Sequence, residues 1–344
     1  MKPTNLRHSK KTFLTHIKKD LLFDSLCTAI IFVIMIFILT NPQKFTTGTV
    51  NGIKLFFNSV LPGLFPFMLL TKMISEIGLI YKLSAKCNKF SNKIFGTPGI
   101  SLYAFISSIM SGYPIGAKII SELYSEGLIS EIDAKKMIIF CTTSGPIFVI
   151  GAVGAGMLNN VKIGAILFIV HITSSMFLAI ICNFFSKHKT KNIKPISINN
   201  KQSNIFSRCI NDTINSLFVV CANITIFSLI IEILDNLNVF KYISNLFLPF
   251  LQFLKIDELQ LKSFLFGIVE ITRGIKSLSC EINLTSIVLI EWLISFSGIS
   301  IIMQSLAFLK NAKIKVHEFI LIKLMHAFIS ATLCFLVLII FQIF

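Results

Sequence analysis

The chain has 344 residues, of which 54% are hydrophobic and 14% are charged, and its formal net charge is +16. This composition excludes a water-soluble protein, and the polar stretches at 1–20 and 186–208 are too short to form a core of their own, so we expect no extramembrane domain. The Lys and Arg residues fall between apolar blocks and form no patch interleaved with aromatic residues, so we exclude nucleic-acid binding and attribute the charge to orientation in a lipid bilayer.

The first predicted element is a transmembrane helix at 21–41. A basic N-terminus at 1–20, which we place in the cytoplasm, precedes an uninterrupted apolar run. The run is long enough to cross about 30 Å of hydrocarbon. It ends at Asn41-Pro42 without a small-residue cleavage pattern, so we interpret it as an uncleaved helix rather than a signal peptide.

Eight further apolar blocks follow, and simple crossings cannot explain all of them. The basic loops at 82–93 and 186–208 should both be cytoplasmic, yet three blocks separate them. One block must therefore enter and leave by the same face, shielded from lipid by protein or a water-filled cavity. We assign this role to 98–120, because it contains the turn-forming stretch Ser111-Gly112-Tyr113-Pro114. The blocks lie at about 52–80, 98–120, 136–158, 161–185, 209–236, 263–279, 285–309 and 316–342.

The second half repeats features of the first at an offset of roughly 155 residues. By analogy with 98–120, we assign 263–279 as the re-entrant block of the second half. Each half then has three crossings, so the two halves run through the membrane in opposite directions. The sequence therefore predicts an all-α polytopic membrane protein with two re-entrant hairpins, built as an inverted repeat of 52–185 and 209–342 around a basic cytoplasmic linker at 186–208. Secondary transporters use such repeats and bind their substrate near the midplane. The matching residues are Asn58-Ser59 with Asn215-Ser216, Ser144-Gly145 with Ser297-Gly298, and His171 and Ser175 with His326 and Ser330.

Four predicted helix breaks supply the candidate substrate-binding residues, because half-helix N-termini at the midplane can hold an anionic group. The breaks are at 111–114, 143–146, 272–274 and 295–298. The candidate substrate-binding residues are Arg273, Ser111, Gly112, Tyr113, Lys118, Ser144, Gly145, Ser297 and Gly298.

Arg273 is the most informative of these residues. A guanidinium in a membrane block costs about 2.5 kcal/mol or more and matches a carboxylate in bidentate fashion, so it indicates a partner. Two partners are equally plausible for this guanidinium: the substrate, or Glu270 in a local ion pair. Lys118 is either a second cationic contact or a side chain that snorkels to the cytoplasmic face.

Other polar residues allow two interpretations. Glu270, His171 and His326 are candidates for proton or ion coupling, although a histidine on an apolar helix is more often a packing residue. Glu291 begins a predicted crossing, and we expect it at the membrane interface. The chain has no catalytic constellation, phosphate-binding loop or metal-ligand spacing, so we expect no enzyme, no cofactor and no metal. The eight cysteines form no C-x-x-C pair and are interpreted as small apolar residues.

Four motifs together resemble the sporulation integral membrane proteins of the YlbJ (SpoVV) family, in the group with a nucleoside-recognition or gate domain. They are 58–66 (NSVLPGLFP), 111–118 (SGYPIGAK), 144–146 (SGP) and 270–274 (EITRG). The resemblance covers nearly the whole chain from about residue 50. In the third motif this chain has Gly-Pro where Asn-Pro is as common in the family.

The resemblance implies a fold similar to concentrative nucleoside transporters, an endospore-forming bacterium and a location in the outer forespore membrane. It further implies export of dipicolinic acid from the mother cell toward the forespore. Dipicolinate is a flat dianion, and Tyr113 either stacks on its ring or simply packs. The expected partners are thus a small anionic substrate and the lipid bilayer. A nucleoside or ion transporter of the same fold, or a membrane scaffold for spore envelope assembly, remains the alternative.

Overall fold

The computed structural model describes residues 25, 28–29, 31–77, 86–186, 204–251 and 256–343. All regular secondary structure within these ranges is helical, which confirms the predicted all-α class. The predicted N-terminus at 1–20, the start of the helix predicted at 21–41 and most of the linker predicted at 186–208 lie outside the described residues. Four helical segments are long and apolar enough to cross a membrane: Val161–Phe184, Ile205–Asn236, Leu284–Ala312 and Val316–Ile340.

The first half contains a long helix, a helical hairpin, an interrupted helix and a second long helix, in that order. Ile31–Thr40 (α1) precedes Pro42–Leu55 (α2), which continues through a π-helical turn at Phe56–Val60 into Leu61–Ile77 (α3). The later elements are the short helix Asn88–Ile94 (α4), the hairpin helices Ser101–Ser111 (α5) and Ile115–Ser125 (α6), the interrupted helix Glu131–Phe140 (α7) with the π-helix Ile147–Met157, and Val161–Phe184 (α8).

The second half has the same order of elements. Its helices are Ile205–Asn236 (α9), Val239–Leu251 (α10), Glu258–Val269 (α11), Ile271–Leu278 (α12), Leu284–Phe296 (α13), Gly298–Leu309 (α14) and Val316–Ile340 (α15). The residues that matched in sequence occupy equivalent elements: the breaks after α7 and α13 hold the Ser-Gly pairs, and α8 and α15 hold the histidines. The opposite orientation of the two halves in a bilayer stays a prediction, as does the re-entrant course of the hairpins.

The hairpin of the second half, α11 and α12 (hairpin 2), is closed by small residues. A Cβ atom built on Gly274 would lie 2.1 Å from the Cα of Gly267, so the two backbones touch where any larger residue would separate them. Further from the tip, the hydroxyl oxygens of Ser263 and Ser277 are 2.6 Å apart. The two helices are therefore antiparallel and in direct backbone contact.

The break predicted at 272–274 is wrong by a few residues. The chain turns at Glu270, whose backbone is extended (φ −139°, ψ 114°), and residues 272–274 already lie inside α12. The Glu270 carboxylate accepts hydrogen bonds from the amides of Thr272 (3.1 Å) and Arg273 (2.8 Å), so the helix starts directly after it. Gly274 thus serves the close packing of the hairpin rather than its turn.

The hairpin of the first half, α5 and α6 (hairpin 1), turns at the predicted place. Gly112 ends α5 with φ +72°, a conformation that favours glycine. After the turn, Gly116 faces the end of α7, and a Cβ atom built there would lie 1.6 Å from the carbonyl oxygen of Cys141. The hairpin is therefore seated on the interrupted helix of its own half.

The two halves are also joined by their long helices. α2 packs along α9 through Gly48 and Gly52, and a Cβ atom on Gly52 would lie 2.8 Å from the Cα of Thr225. Small residues allow this approach, as is usual between membrane helices. A second contact between the halves joins α8 and α15.

Candidate functional site

In each half, the hairpin tip contacts the break in the interrupted helix. We call the stretch 141–146 break 1 and Ser297, which has φ +80°, break 2. A Cβ atom on Gly112 would lie 3.0 Å from the amide nitrogen of Gly145. In the second half, a Cβ atom on Gly298 would lie 3.0 Å from the carbonyl oxygen of Gly267. Glycine is needed on both sides of the molecule because backbone packs directly on backbone.

A cavity of about 60 Å³ lies where these elements meet. This volume has room for a few water molecules, so a larger solute requires its walls to move apart. Residues of both tips, of break 1 and of the first turns of α14 line it, and apolar residues of α3 and α9 close it. The polar and tip residues of the lining are Ser111, Gly112, Tyr113, Ser144, Gly145, Glu270, Thr272, Ser300 and Gln304.

A second cavity of about 500 Å³ adjoins the first, between α3, α6, α9 and α14. Both are lined by Met68, Tyr113, Val220 and Gln304, so the larger cavity leads toward the smaller one. The size of the larger cavity is in the range of small-molecule sites. Its polar lining consists of Lys118, Asn215, Ser216, Asn223 and Gln304.

The structure brings together many, but not all, of the residues predicted to bind substrate. Ser111, Gly112, Tyr113, Ser144 and Gly145 line the small cavity. Lys118 lines the larger one, with its Nζ atom 3.9 Å from Glu122. Ser297 and Gly298 are buried at break 2 beside the tip of hairpin 2, and neither they nor Arg273 are among the lining residues.

Arg273 is directed away from both cavities, toward α9. Its guanidinium donates to Glu232 Oε2 and to the carbonyl oxygen of Ser228, each at 2.8 Å, and lies 5.5 Å from the ring centre of Phe266. The predicted ion-pair partner Glu270 is therefore wrong, and Glu232 is the partner. The reason is geometric, since the Glu270 carboxylate is bound to backbone amides at the start of its own helix.

The helices that start at the site differ in whether a side chain caps the free amides of their first turn. The start of α12 is occupied by the carboxylate of Glu270, so it already holds an anion that belongs to the chain. The starts of the π-helix at Ile147 and of α14 at Gly298 have no side-chain cap. Ile147 and Ser300, in the first turns of these two helices, line the small cavity.

Lys323 is a buried cation that the sequence analysis missed. It lies on α15 with 2% of its surface exposed, and its ammonium donates to the carbonyl oxygen of Thr142 in break 1. The same ammonium is 5.2 Å from the ring centre of Tyr113. Among the described residues, no carboxylate lies within ion-pair distance of it. The signal in the sequence was a lysine inside a 25-residue apolar helix, which indicates a functional position.

The two histidines that matched in sequence contact each other across the halves. Their ring centres are 4.9 Å apart. His171 accepts a hydrogen bond from the amide of Ser144 in break 1 at 2.9 Å, and His326 Nε2 is 3.0 Å from the carbonyl oxygen of His171. The histidines therefore connect α8, α15 and break 1.

Glu291 is fully buried and lies in the middle of α13 rather than at its start. The helix α13 packs along α15, and this contact removes the carboxyl group from the surface. Its Oε1 atom accepts hydrogen bonds from the hydroxyls of Ser295 and Ser330. Within the described part of the chain, no three His, Cys, Asp or Glu residues are grouped so that they could hold a metal ion.

Comparison with known proteins finds a relative by sequence. The sporulation integral membrane protein YlbJ of Bacillus subtilis (strain 168) is 24% identical to this chain over 157 residues. The aligned segment covers 46% of this chain and 38% of that protein. No family model and no solved structure matches the chain. The apolar helices and this relationship identify the chain as an integral membrane protein related to a sporulation membrane protein.

Proposed function

We propose that this protein is a secondary transporter for a small organic anion. The observation that carries the proposal is the cavity at which two hairpin tips and two interrupted helices meet. Interrupted helices are expensive inside a membrane and are tolerated where they line a binding site. The adjoining larger cavity provides an approach to it. No chemical conversion of the substrate is proposed.

Two features favour an anion. The uncapped starts of the π-helix and of α14 direct helix dipoles toward the cavity, and the ammonium of Lys323 lies behind Tyr113 at its wall. Arg273 is already paired with Glu232, and the Glu270 carboxylate is already bound to backbone amides. We therefore expect Lys323 to contribute more to anion selectivity than Arg273 does.

The substrate that we propose is dipicolinate, moved from the mother cell toward the forespore across the outer forespore membrane. The Bacillus relative is, by its name, a sporulation membrane protein. The motifs of the YlbJ family imply dipicolinate, whose two carboxylates suit two helix starts and a cation. Nucleosides of similar size are the competing cargo.

The test is uptake of labelled dipicolinate by proteoliposomes that contain the full-length protein. Substituting Lys323→Met should weaken dipicolinate binding about tenfold, because it removes the positive charge behind Tyr113, and two unit charges about 4 Å apart interact by about 1–4 kcal/mol near a protein surface. Lys241→Met, on the exposed surface of α10, is the matched control and should behave like the wild type.

Two results would contradict the proposal. Uptake of a nucleoside in preference to dipicolinate would reassign the cargo. Wild-type protein that is folded in the vesicles and moves neither solute would favour the alternative of a membrane scaffold, which also predicts that the tips of both hairpins tolerate substitution.

A further inference from the structure

The carboxyl group of Glu291 has no role in the proposed substrate site, and its surroundings are unusual for a membrane helix. Oε1 accepts a hydrogen bond from Ser295 at 3.3 Å and another from Ser330. Oε2 is buried and has no partner among the described residues. An ionised carboxylate with one bare oxygen is costly in such a place, and a proton on Oε2 removes the part of that cost that comes from burying the charge.

Hydrogen bonds of defined direction connect Glu291 to break 1. The backbone amide of Ser144 can only donate, so Nε2 of His171 must accept from it. The proton of the neutral ring is then on Nδ1, which donates to the Ser295 hydroxyl at 2.9 Å. That hydroxyl donates in turn to Oε1 of Glu291. His171 can gain a second proton only by losing its bond to Ser144, whereas Glu291 has an oxygen available.

The surrounding groups leave the charge of Glu291 unbalanced. His171 on α8 is linked to it through Ser295, and Cys334 on α15 and Tyr113 at the tip of hairpin 1 interact with it electrostatically, while His326 on α15 contacts His171. Lys323, also on α15, is bound to the carbonyl oxygen of Thr142. No Lys, Arg or His of the described ranges lies within 4 Å of the Glu291 carboxylate.

The remaining helices packed against α13 direct their charges elsewhere. On α11, Lys262 pairs with Asp235 at 2.7 Å and Glu258 is exposed. On α12, Arg273 pairs with Glu232, Lys276 is exposed, and the capping carboxylate of Glu270 is bound to the amides of Thr272 and Arg273. Neutralisation of Glu291 therefore depends on what binds to its own oxygen atoms.

We propose that Glu291 is the proton-binding group that couples movement of the substrate to a proton gradient. The inference rests on the proposed transport function. A proton bound on Oε2 makes the carboxyl group neutral, and release of this proton restores its negative charge. Glu291 is one end of the series of hydrogen bonds that runs through Ser295 and His171. The other end of this series of hydrogen bonds is the amide of Ser144, which lines the substrate cavity. Occupation of the cavity and protonation of Glu291 are thereby linked.

The experiment compares wild-type, Glu291→Gln and Glu281→Gln proteins in proteoliposomes. Two assays are run on each protein. The first measures exchange of labelled for unlabelled dipicolinate with the same pH on both sides of the membrane, and the second measures uptake driven by an imposed pH gradient. In Glu291→Gln, we expect exchange to persist while uptake becomes equal with and without the gradient. Glu281 is exposed after α12, and its substitution should leave both assays unchanged.

A second measurement reports on the proton without transport. The infrared band of a protonated carboxylic acid should be present in purified wild-type protein and lost in Glu291→Gln. If Glu291→Gln fails to fold, Glu291→Asp keeps the carboxyl group and should retain both the band and the gradient dependence. If the wild type does not exchange dipicolinate, the transport proposal fails, while the band still decides whether Glu291 holds a proton.

Three results would overturn the inference. They are a Glu291→Gln protein that responds to the pH gradient as the wild type does, an infrared band that survives the substitution, and wild-type uptake that follows a sodium gradient but no pH gradient.

Discussion

At the scale of single residues, Arg273 and Lys323 bind to groups that are distant in sequence. Arg273 and Glu232 are 41 positions apart and form a half-buried pair, with 21% and 22% of their side chains exposed. Lys323 and Thr142 are 181 positions apart. A partly buried pair is costly to break because the remaining partner keeps its charge without compensation. The substrate role of Arg273 stays a prediction. Because Arg273 pairs with Glu232, substitutions of both residues can test it.

A double-mutant cycle distinguishes the two roles of Arg273. We expect Arg273→Met and Glu232→Gln each to lower stability by about 1–3 kcal/mol and the double substitution to cost less than their sum, with a coupling of about 0.5–3 kcal/mol. Thermal unfolding in detergent measures this, and dipicolinate binding is measured on the same proteins. Additive losses of stability, together with loss of binding in Arg273→Met alone, would instead indicate a substrate contact.

At the scale of elements, both hairpins depend on glycine for close packing rather than only for their turns. Gly274 touches Gly267 inside hairpin 2, and Gly116 places hairpin 1 against the carbonyl oxygen of Cys141. A small shift of these helices would change the position of the tips that line the cavity. The same small residues thus determine both the packing of the hairpins and the geometry of the site.

We expect Gly274→Ala to destabilise the protein by about 1–3 kcal/mol, because the new methyl group overlaps the backbone of α11. Gly151→Ala is the matched control, since the nearest atom to its new Cβ would be 3.9 Å away. That substitution should leave stability unchanged or raise it slightly, because alanine favours a helical backbone. Apparent melting temperatures in detergent compare the two. Equal melting temperatures would show that α11 and α12 are not in backbone contact.

At the scale of the whole molecule, the repeated order of elements and the contact between His171 and His326 agree with two related halves. Whether these halves are inverted depends on which side of the membrane the bases of the hairpins occupy. The parity of crossings predicts that the base of hairpin 1 is cytoplasmic and that of hairpin 2 is on the opposite side.

Single cysteines in a background without native cysteines test this topology. Lys89→Cys and Glu126→Cys flank hairpin 1 and should be labelled from the cytoplasmic side by a membrane-impermeant maleimide. Glu258→Cys and Glu281→Cys flank hairpin 2 and should be labelled from the other side. All four positions are exposed in the structure. If Lys89→Cys and Glu126→Cys react from different sides, hairpin 1 crosses the membrane and the inverted repeat is wrong.

The sequence by itself determined the all-α class, most of the helix interruptions and the repeated order of elements. Apolar length, Gly-Pro pairs and repeated Ser-Gly and His-Ser residues act through neighbouring backbone, so they can be interpreted locally. Only the tertiary structure decided that Arg273 pairs with Glu232, that Glu291 is buried and that Lys323 reaches break 1. These outcomes depend on which helices pack together. The local sequence around a residue does not indicate which distant residue it will contact. The exact turn of hairpin 2 belongs to the second group, because the capping carboxylate of Glu270, rather than a glycine, starts α12.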